Sequence, residues 1–167
     1  MALLVFATFG IGLFSLAHTP NTPEKRLPLA VHIVLGLSIL LIVSLRYLLR
    51  IWIFAPPRRA PARAATAKPA LLLDQLTPYV HPLLYLFTAL MSLLGLAIAL
   101  PADLFATLFA RSGAALPADF YVYPARTWHG ALSLLLMLLI AQHLLVAVFH
   151  QFIKGENFLG RMWFTQK

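Results

Sequence analysis

Four long apolar stretches constrain the fold of this chain more than any other feature of its sequence. They cover about residues 1–17, 27–50, 79–100 and 128–152. A helix needs roughly 20 apolar residues to cross a hydrocarbon core about 30 Å thick, and the last three stretches reach that length while the first is shorter. Because lipid cannot satisfy backbone polar groups, each stretch is predicted to be a helix. The predicted fold is all-α, a transmembrane four-helix bundle forming a single domain over residues 1–167.

Composition excludes most other classes of protein. Hydrophobic residues make up 61% of the chain, charged residues make up 11%, and the mean hydropathy is +0.85. A soluble domain is typically about 45–50% apolar and about 25% charged. The chain has 0 cysteines, which excludes disulfide scaffolds, thiol catalysis, iron–sulfur clusters and Cys-ligated zinc. Its five acidic residues are scattered through predicted loops, so hydrolysis by paired carboxylates is poorly supported.

The distribution of basic residues predicts how the spans are oriented. Nine of the 13 Lys and Arg residues lie in the C-terminal tail or in and beside the loop between the second and third spans. Only two acidic residues lie on this side. The opposite side carries the other four, against three acids. The more basic side is assigned to the cytoplasm, so both termini are expected there. Because the basic residues sit beside spans, the expected partner is the lipid bilayer, and no nucleic acid partner is expected.

The two longer loops differ in character. The segment 55–70 is rich in Ala, Pro and Arg and is predicted to be a flexible, solvated tether, with attraction to anionic lipid as the alternative. The segment 101–124 faces the other compartment. Within it, residues 103–110 have the composition of a short helix lying on the membrane surface.

Histidines are the residues most capable of chemistry in this chain. Five of the six lie in or at the ends of spans, where ionisable groups are costly and usually functional. In the fourth span, His143 follows His129 by about four helical turns, and His150 follows His143 by about two, so all three lie on one helix face. His129 and His143 are then separated by about 21 Å along the axis. This separation suits two macrocycles stacked across a bilayer, and it does not suit one zinc ion.

The predicted depths of the histidines suggest pairs. His32 and His129 both lie near the non-cytoplasmic surface, so they can ligate one metal from opposite sides. His143 lies about 22 Å below that surface, counted at about 1.5 Å per residue. His81 and His150 are expected to be deeper still and level with each other. A lone intramembrane histidine is often only a hydrogen-bonded packing residue, whereas a set at matched depths favours a shared ligand.

Bis-imidazole ligation of haem iron suits these positions. Neutral imidazole is a good iron ligand, and helical bundles build cofactor sites from facing helices. Since no side chain here performs redox chemistry alone, a cofactor has to supply it. Arg46 follows His32 by about four helical turns and is predicted to bind an anionic group such as a haem propionate. The alternative is that Arg46 only marks the end of its span and extends to water.

The chain resembles the bacterial cytochrome b561 family of four-helix membrane cytochromes with two b haems. The matching strings are VHIVLGLSILLIVSLRYLLR in the second span, HPLLYLFTALMSLLGL in the third, and WHGALSLLLMLLIAQHLLVAVFH with ENFLGRM in the fourth span and the tail. The resemblance covers nearly the whole chain. Its most specific part is the Trp-His pair at the start of the fourth span, followed by His143 and His150 on the same helix face.

The resemblance implies that His32 and His129 bind the outer haem and that His143 binds the inner one. In the family, the partner of His143 is a histidine near the cytoplasmic start of the first span, and residues 1–16 contain none. Three explanations remain open. The chain as given starts late and the ligand lies upstream, or the inner haem is five-coordinate or absent, or His81 substitutes for the missing ligand.

The resemblance also implies a function. The protein is expected to pass electrons across the bacterial inner membrane from a periplasmic donor to ubiquinone, as part of respiratory electron transport. Superoxide is one candidate donor, because Lys25, Arg26 and Arg126 lie near the outer mouth, and the enzyme is then a superoxide:ubiquinone oxidoreductase. His81 and His150 are predicted to contact the quinone headgroup. The alternatives are a cytochrome b anchor subunit of a hydrogenase or dehydrogenase, and a helical membrane protein without a cofactor.

Overall fold

The computed structural model describes residues 1–52, 72–110 and 113–153, and the side chains of 72–78 and of residue 150 lie outside that description. Every regular element in this part of the chain is helical, which confirms the predicted all-α class. The helices, in chain order, are α1 (Ala2–Gly10), α2 (Arg26–Trp52), α3 (Leu72–Ala99), α4 (Leu104–Phe109) and α5 (Pro124–Phe152). A 3-10 turn, Pro23–Lys25, precedes α2.

The first helix changes its hydrogen-bonding pattern partway along. After α1, residues Ile11–Leu16 continue as a π-helix, whose wider turn is rare and usually occurs as a single-turn insertion. Gly10 and Gly12 flank the start of this change. Glycine is the weakest helix former after proline, so the α-helical pattern is least firmly held at this point. Ala2–Leu16 is apolar but shorter than a full span, as the sequence predicted.

Within the described residues, three helices have the length and composition needed to cross a membrane: Pro23–Trp52, Tyr79–Ala99 and Pro124–Phe149. They match the three full-length predicted spans, although two of the helices begin earlier than predicted. Helix α3 starts at Leu72 because polar residues continue it beyond the apolar stretch. Helix α5 starts at Pro124, a position where the fixed proline φ favours the first helical turn and its missing N–H costs nothing.

The helices pack in chain order and leave much of their apolar surface uncovered. Helix α3 contacts both α2 and α5, and α1 contacts α2. Large side chains such as Leu41, Leu86 and Leu138 remain mostly exposed. In water this would be unstable, whereas lipid tails are as apolar as leucine, so outward-facing leucines cost nothing there. The outward faces of the three long helices therefore support membrane insertion.

A buried hydrophobic cluster lies at the end of the bundle that the charge distribution predicts to be non-cytoplasmic. A buried cluster joins the start of α2, the end of α3, α4 and the loop before α5; its members are Leu29, Ala99, Ala102, Leu104 and Leu116. The predicted helix at 103–110 is present as α4, and it buries Leu104 and Thr107 within the protein. These buried residues form a packed cap at this end of the bundle.

Two side chains fasten the loops of this cap to each other. Asn21 donates through Nδ2 to the Ala118 carbonyl over 3.0 Å, and the guanidinium of Arg26 donates to the Ala114 carbonyl. The bonds join the α1–α2 connection and the first residue of α2 to the loop before α5. The connection between α2 and α3, which includes the predicted basic tether, and the C-terminal tail both lie outside the described residues.

Candidate functional site

A cavity of about 440 Å³ lies between the helices beneath the cap. Its volume falls within the range of about 300–1,000 Å³ that is usual for sites of small molecules and cofactors. Side chains of α1, α2, α3 and α5 line it, and both His32 and His129 are among them. The two imidazole rings lie with centroids 6.1 Å apart and planes inclined at 67°, in an edge-on arrangement. The structure therefore brings together the two histidines that the sequence placed at one depth.

Backbone carbonyls orient both rings. The Nδ1 atom of His32 lies 3.1 Å from the Thr8 carbonyl oxygen, and the Nδ1 atom of His129 lies 3.1 Å from the Met91 carbonyl oxygen. A carbonyl oxygen can only accept, so Nδ1 is the protonated nitrogen in each ring. The lone pair of each neutral imidazole is then on Nε2. This arrangement, with one ring nitrogen donating to a backbone carbonyl, is typical of metal-ligating histidines.

A glycine stands against each ring. A Cβ atom built on Gly12 would lie 3.3 Å from Cε1 of His32, and one built on Gly95 would lie 3.3 Å from Cε1 of His129. Gly12 follows Thr8 by about one helical turn, and Gly95 follows Met91 by the same separation. Thr8 and Met91 are the residues whose carbonyls accept the hydrogen bond from the same ring. Two helix pairs therefore repeat one arrangement, in which the first helix supplies a carbonyl and a glycine and the second supplies the histidine. The pairs are α1, taken with the π-helix that continues it, with α2, and α3 with α5.

The ring spacing fits two axial ligands of one metal ion. With a metal–nitrogen bond of about 2.0 Å and a ring radius of about 1.2 Å, two imidazoles on opposite sides of one ion have centroids about 6.4 Å apart. The observed 6.1 Å is close to that value. No group of three or more His, Cys, Asp or Glu side chains able to hold a metal occurs in the described parts of the chain. A porphyrin, which supplies four nitrogens of its own, needs only two protein ligands, so the pair fits haem iron.

Open space extends from His32 along α2. A Cβ atom on Gly36, one helical turn after His32 and also lining the cavity, would meet no other atom within 4 Å. A flat macrocycle bound to the His32 ring would extend over this surface. Glycine at this position keeps the helix backbone accessible to a bound group, which is the role that buried glycines often have beside ligands.

Two cations stand at the outer mouth of the cavity. Lys25 is only 9% exposed, and its Nζ donates to the Thr19 carbonyl over 2.7 Å and to Oδ1 of Asn21 over 2.9 Å. The guanidinium of Arg126 lies 5.1 Å from the Tyr121 ring centroid. Both line the cavity, and among the described residues neither forms an ion pair with a carboxylate. A partly buried pair of cations is stabilised by an anionic group between them.

A second pair of histidines lies towards the other end of the bundle. The rings of His81 and His143 have centroids 5.0 Å apart and planes inclined at 79°. The predicted depth of His81, below that of His143, is therefore wrong. Helix α3 extends beyond the level of His129, so counting from its end misplaced the residue. A Cβ built on Gly95 would lie 3.3 Å from Cε1 of His129, and the sequence separation of His81 from Gly95 equals that of His143 from His129.

This second pair does not have the spacing of two axial ligands. Its centroid separation of 5.0 Å is shorter than the roughly 6.4 Å that two imidazoles need on opposite sides of one ion. The described residues therefore do not assemble a second sandwich around His143. The assignment of His143 as an iron ligand stays a prediction.

Two further predicted site residues lie near this end of the bundle. Arg46 is exposed on α2, and it follows His32 at the same sequence separation as His143 follows His129. Its predicted contact with a propionate stays a prediction. Position 150 belongs to α5, beyond His143, and the side chain of His150 lies outside the described residues.

Comparison with known proteins identifies the family. The family model for prokaryotic cytochrome b561 matches residues 1–165. The chain belongs to the prokaryotic cytochrome b561 family. No curated protein and no solved structure matches it in these comparisons. Membership of the cytochrome b561 family makes the protein a haem b electron-transfer protein of the membrane, in agreement with the apolar helices.

Sequence reasoning missed the parts of this cytochrome b561 site that hold the imidazoles. Gly12 and Gly95 lie in helices, where glycine is unfavourable relative to alanine, and an isolated glycine in a helical pattern was the available signal. The carbonyl acceptors carry no signal at all, because every residue has a carbonyl. Lys25 and Arg126 were singled out for their charge, and the structure adds that both line the cavity.

Proposed function

We propose that this cytochrome b561 carries electrons from a periplasmic donor to ubiquinone through a haem b held by His32 and His129. The observation that carries the proposal is the pair of imidazoles 6.1 Å apart, each with Nδ1 bonded to a backbone carbonyl. When bound, haem b supplies the one-electron chemistry that no side chain of this chain provides. The protein's own part is to fix both ring orientations and to keep the site apolar.

In this proposal, Lys25 and Arg126 bind the propionates of the haem. Lys25 and Arg126 have no carboxylate partner among the described residues, and the two propionates of haem b are carboxylates. Charge-assisted hydrogen bonds of this kind are stronger than neutral ones. Holding the carboxylates at the mouth would fix the orientation of the macrocycle in the cavity and keep both negative charges near water.

Superoxide is the proposed donor because the same end of the protein is cationic. Fixed positive charge attracts a small anion and raises its rate of encounter. Arg26 differs from Lys25 and Arg126 because its guanidinium donates to the Ala114 carbonyl. Its first role is therefore to hold the cap, and its charge adds to the local field.

The proposed acceptor site lies at the cytoplasmic end, around His81. This side chain is exposed and contacts His143, so one of its ring nitrogens can bond a quinone carbonyl while the ring exchanges protons with water. Histidine is the commonest general acid and base near neutral pH. His150, farther along α5, is the second proposed contact. The proposed orientation, with this end in the cytoplasm of a bacterial inner membrane, is supported by the excess of basic residues on this side.

The test is turnover by the purified protein. Superoxide is generated in solution, and reduction of a short-chain ubiquinone is followed optically. We expect His81→Ala and His150→Ala each to lower the rate by tenfold or more, since loss of a positioned acid or base typically costs about 10²–10⁴-fold. His18→Ala is the matched control, because His18 is exposed in the loop after the first helix. Unchanged rates in both variants would refute the quinone site.

The same preparation separates the alternatives. A haem-containing protein without superoxide-dependent quinone reduction would support the anchor-subunit function, in which a hydrogenase or dehydrogenase supplies the electrons. A folded protein without haem would refute the electron-transfer proposal itself.

A further inference from the structure

We propose that Gly12 and Gly95 are positioning residues that set the planes of the two imidazoles. This inference deepens the proposed haem site and rests on it. Each glycine leaves open the space that a Cβ would occupy beside the edge of a histidine on the next helix.

The contacts define each ring from two directions. The Nδ1–H group of His32 donates to the Thr8 carbonyl, while Cε1 of the same ring lies 3.3 Å from where a Cβ of Gly12 would be. The same two contacts recur at His129, with Met91 and Gly95. A hydrogen bond alone leaves the ring free to rotate about the bond axis. A Cβ at the glycine would crowd Cε1 and force the ring to shift, so the glycine keeps open the one position in which the ring holds this plane while Nδ1 donates.

The other described glycines show that this close approach is specific. A Cβ on Gly10 or Gly36 would meet no atom within 4 Å, and a Cβ on Gly130 would meet the Arg126 guanidinium instead. Only at Gly12 and Gly95, among the glycines that the structure describes, would it meet a histidine. Glycine is unfavourable inside helices, so its presence at these two equivalent positions needs a reason, and the ring contact supplies one.

The angle between the rings has a measurable consequence for bound iron. The planes are inclined at 67°. In low-spin ferric haem, the orientation of the two axial imidazole planes splits the iron d orbitals and so sets the largest g value of the EPR spectrum. The strength of the Nδ1–H hydrogen bond also sets the basicity of Nε2 and with it the midpoint potential. A displaced ring changes both quantities.

The experiment compares Gly12→Ala and Gly95→Ala with Gly10→Ala in the full chain. Haem content, the ferric EPR spectrum and the midpoint potential are measured on each purified protein. We expect both test variants to shift the largest g value and the potential, and to lose about tenfold in haem affinity, as disturbed outer contacts of metal ligands do. Gly10→Ala, close to Gly12 in the same helix and outside the cavity, should match the wild type.

Each outcome is decisive. A haem-loaded wild type with both variants indistinguishable from Gly10→Ala would overturn this inference and leave the proposed function intact. A wild type without haem would refute the proposed function and the inference with it.

A variant that fails to accumulate in membranes is resolved by a double variant. If Gly95→Ala fails because its Cβ meets the His129 ring, adding His129→Ala removes that contact, and the double variant should accumulate as His129→Ala alone does. Continued loss of the double variant would place the damage elsewhere in the helix packing and overturn the inference.

Discussion

Filling the cavity beside His32 should exclude the cofactor without disturbing the bundle. Gly36→Leu is the appropriate substitution, because a Cβ at this position meets no atom within 4 Å. Leucine is also a better helix former than glycine, by about 0.8 kcal/mol or more. The variant helix is therefore expected to be at least as stable as the original, and the added side chain has room in the empty cavity.

The volume of the cavity sets the size of the effect. Leucine adds four carbon atoms, and if each occupies about the 30 Å³ of a water molecule in the liquid, the side chain fills roughly 120 Å³. That is more than a quarter of the 440 Å³ available. The added atoms would lie one turn from the His32 ring, where the macrocycle is proposed to extend. We expect haem content to fall at least tenfold.

The assay is pyridine haemochrome absorbance per mole of purified protein. Gly10→Leu is the control, because that glycine also meets no atom within 4 Å and does not line the cavity. Size-exclusion profiles in detergent would show whether both variants remain folded. Full haem occupancy in a folded Gly36→Leu protein would refute the placement of haem in this cavity.

Three further predictions follow from the same site. His32→Ala and His129→Ala should each abolish the low-spin bis-imidazole spectrum, whereas two packing histidines would leave it unchanged. Arg126→Gln should lower the midpoint potential of the haem, because the guanidinium charge disfavours the more positive oxidised iron. Two unit charges about 10 Å apart at an effective dielectric of about 20 interact by roughly 2 kcal/mol. A raised potential in a redox titration would contradict this. Because the chain has 0 cysteines, single introduced cysteines can report the topology. A cysteine at Ala118 should react with an impermeant thiol reagent added to intact cells, and one within 53–71 should not. The reverse pattern would contradict the predicted orientation in the membrane.

The helices and the outer histidine pair were predictable because both depend on periodicity. Apolar stretches of sufficient length specify spans with little dependence on context. A helix also fixes the rise per residue, so His32 and His129 near the same surface were expected at one level. The structure brings their rings together. That they bind iron stays a prediction, as the variants above would test.

The level of His81 was not predicted correctly because depth was counted from the end of a span. Helix ends do not lie at one height, and α3 continues beyond the level of His129 to Ala99. The level of His81 follows instead from residues that lie side by side on neighbouring helices, such as Gly95 and His129. Such contacts depend on tertiary packing, which one sequence does not reveal.

The backbone features of the site were also beyond sequence reasoning. The π-helix at Ile11–Leu16 was not predicted, and the carbonyls of Thr8 and Met91 are chemically like every other carbonyl. The glycines in helices were visible in the sequence, but their position beside the histidine rings depends on tertiary packing and was not predictable. The outer cap likewise depends on long-range bonds such as that from Asn21 to Ala118.

The most direct test of the central claim is an optical redox titration of the purified wild-type protein, combined with haemochrome quantitation and EPR of the ferric form. The claim is that His32 and His129 together hold haem iron. The account predicts b-type haem with a low-spin, six-coordinate spectrum characteristic of two imidazole ligands, lost in either alanine variant. A protein purified without haem, or one whose low-spin signal survives removal of both histidines, would contradict it.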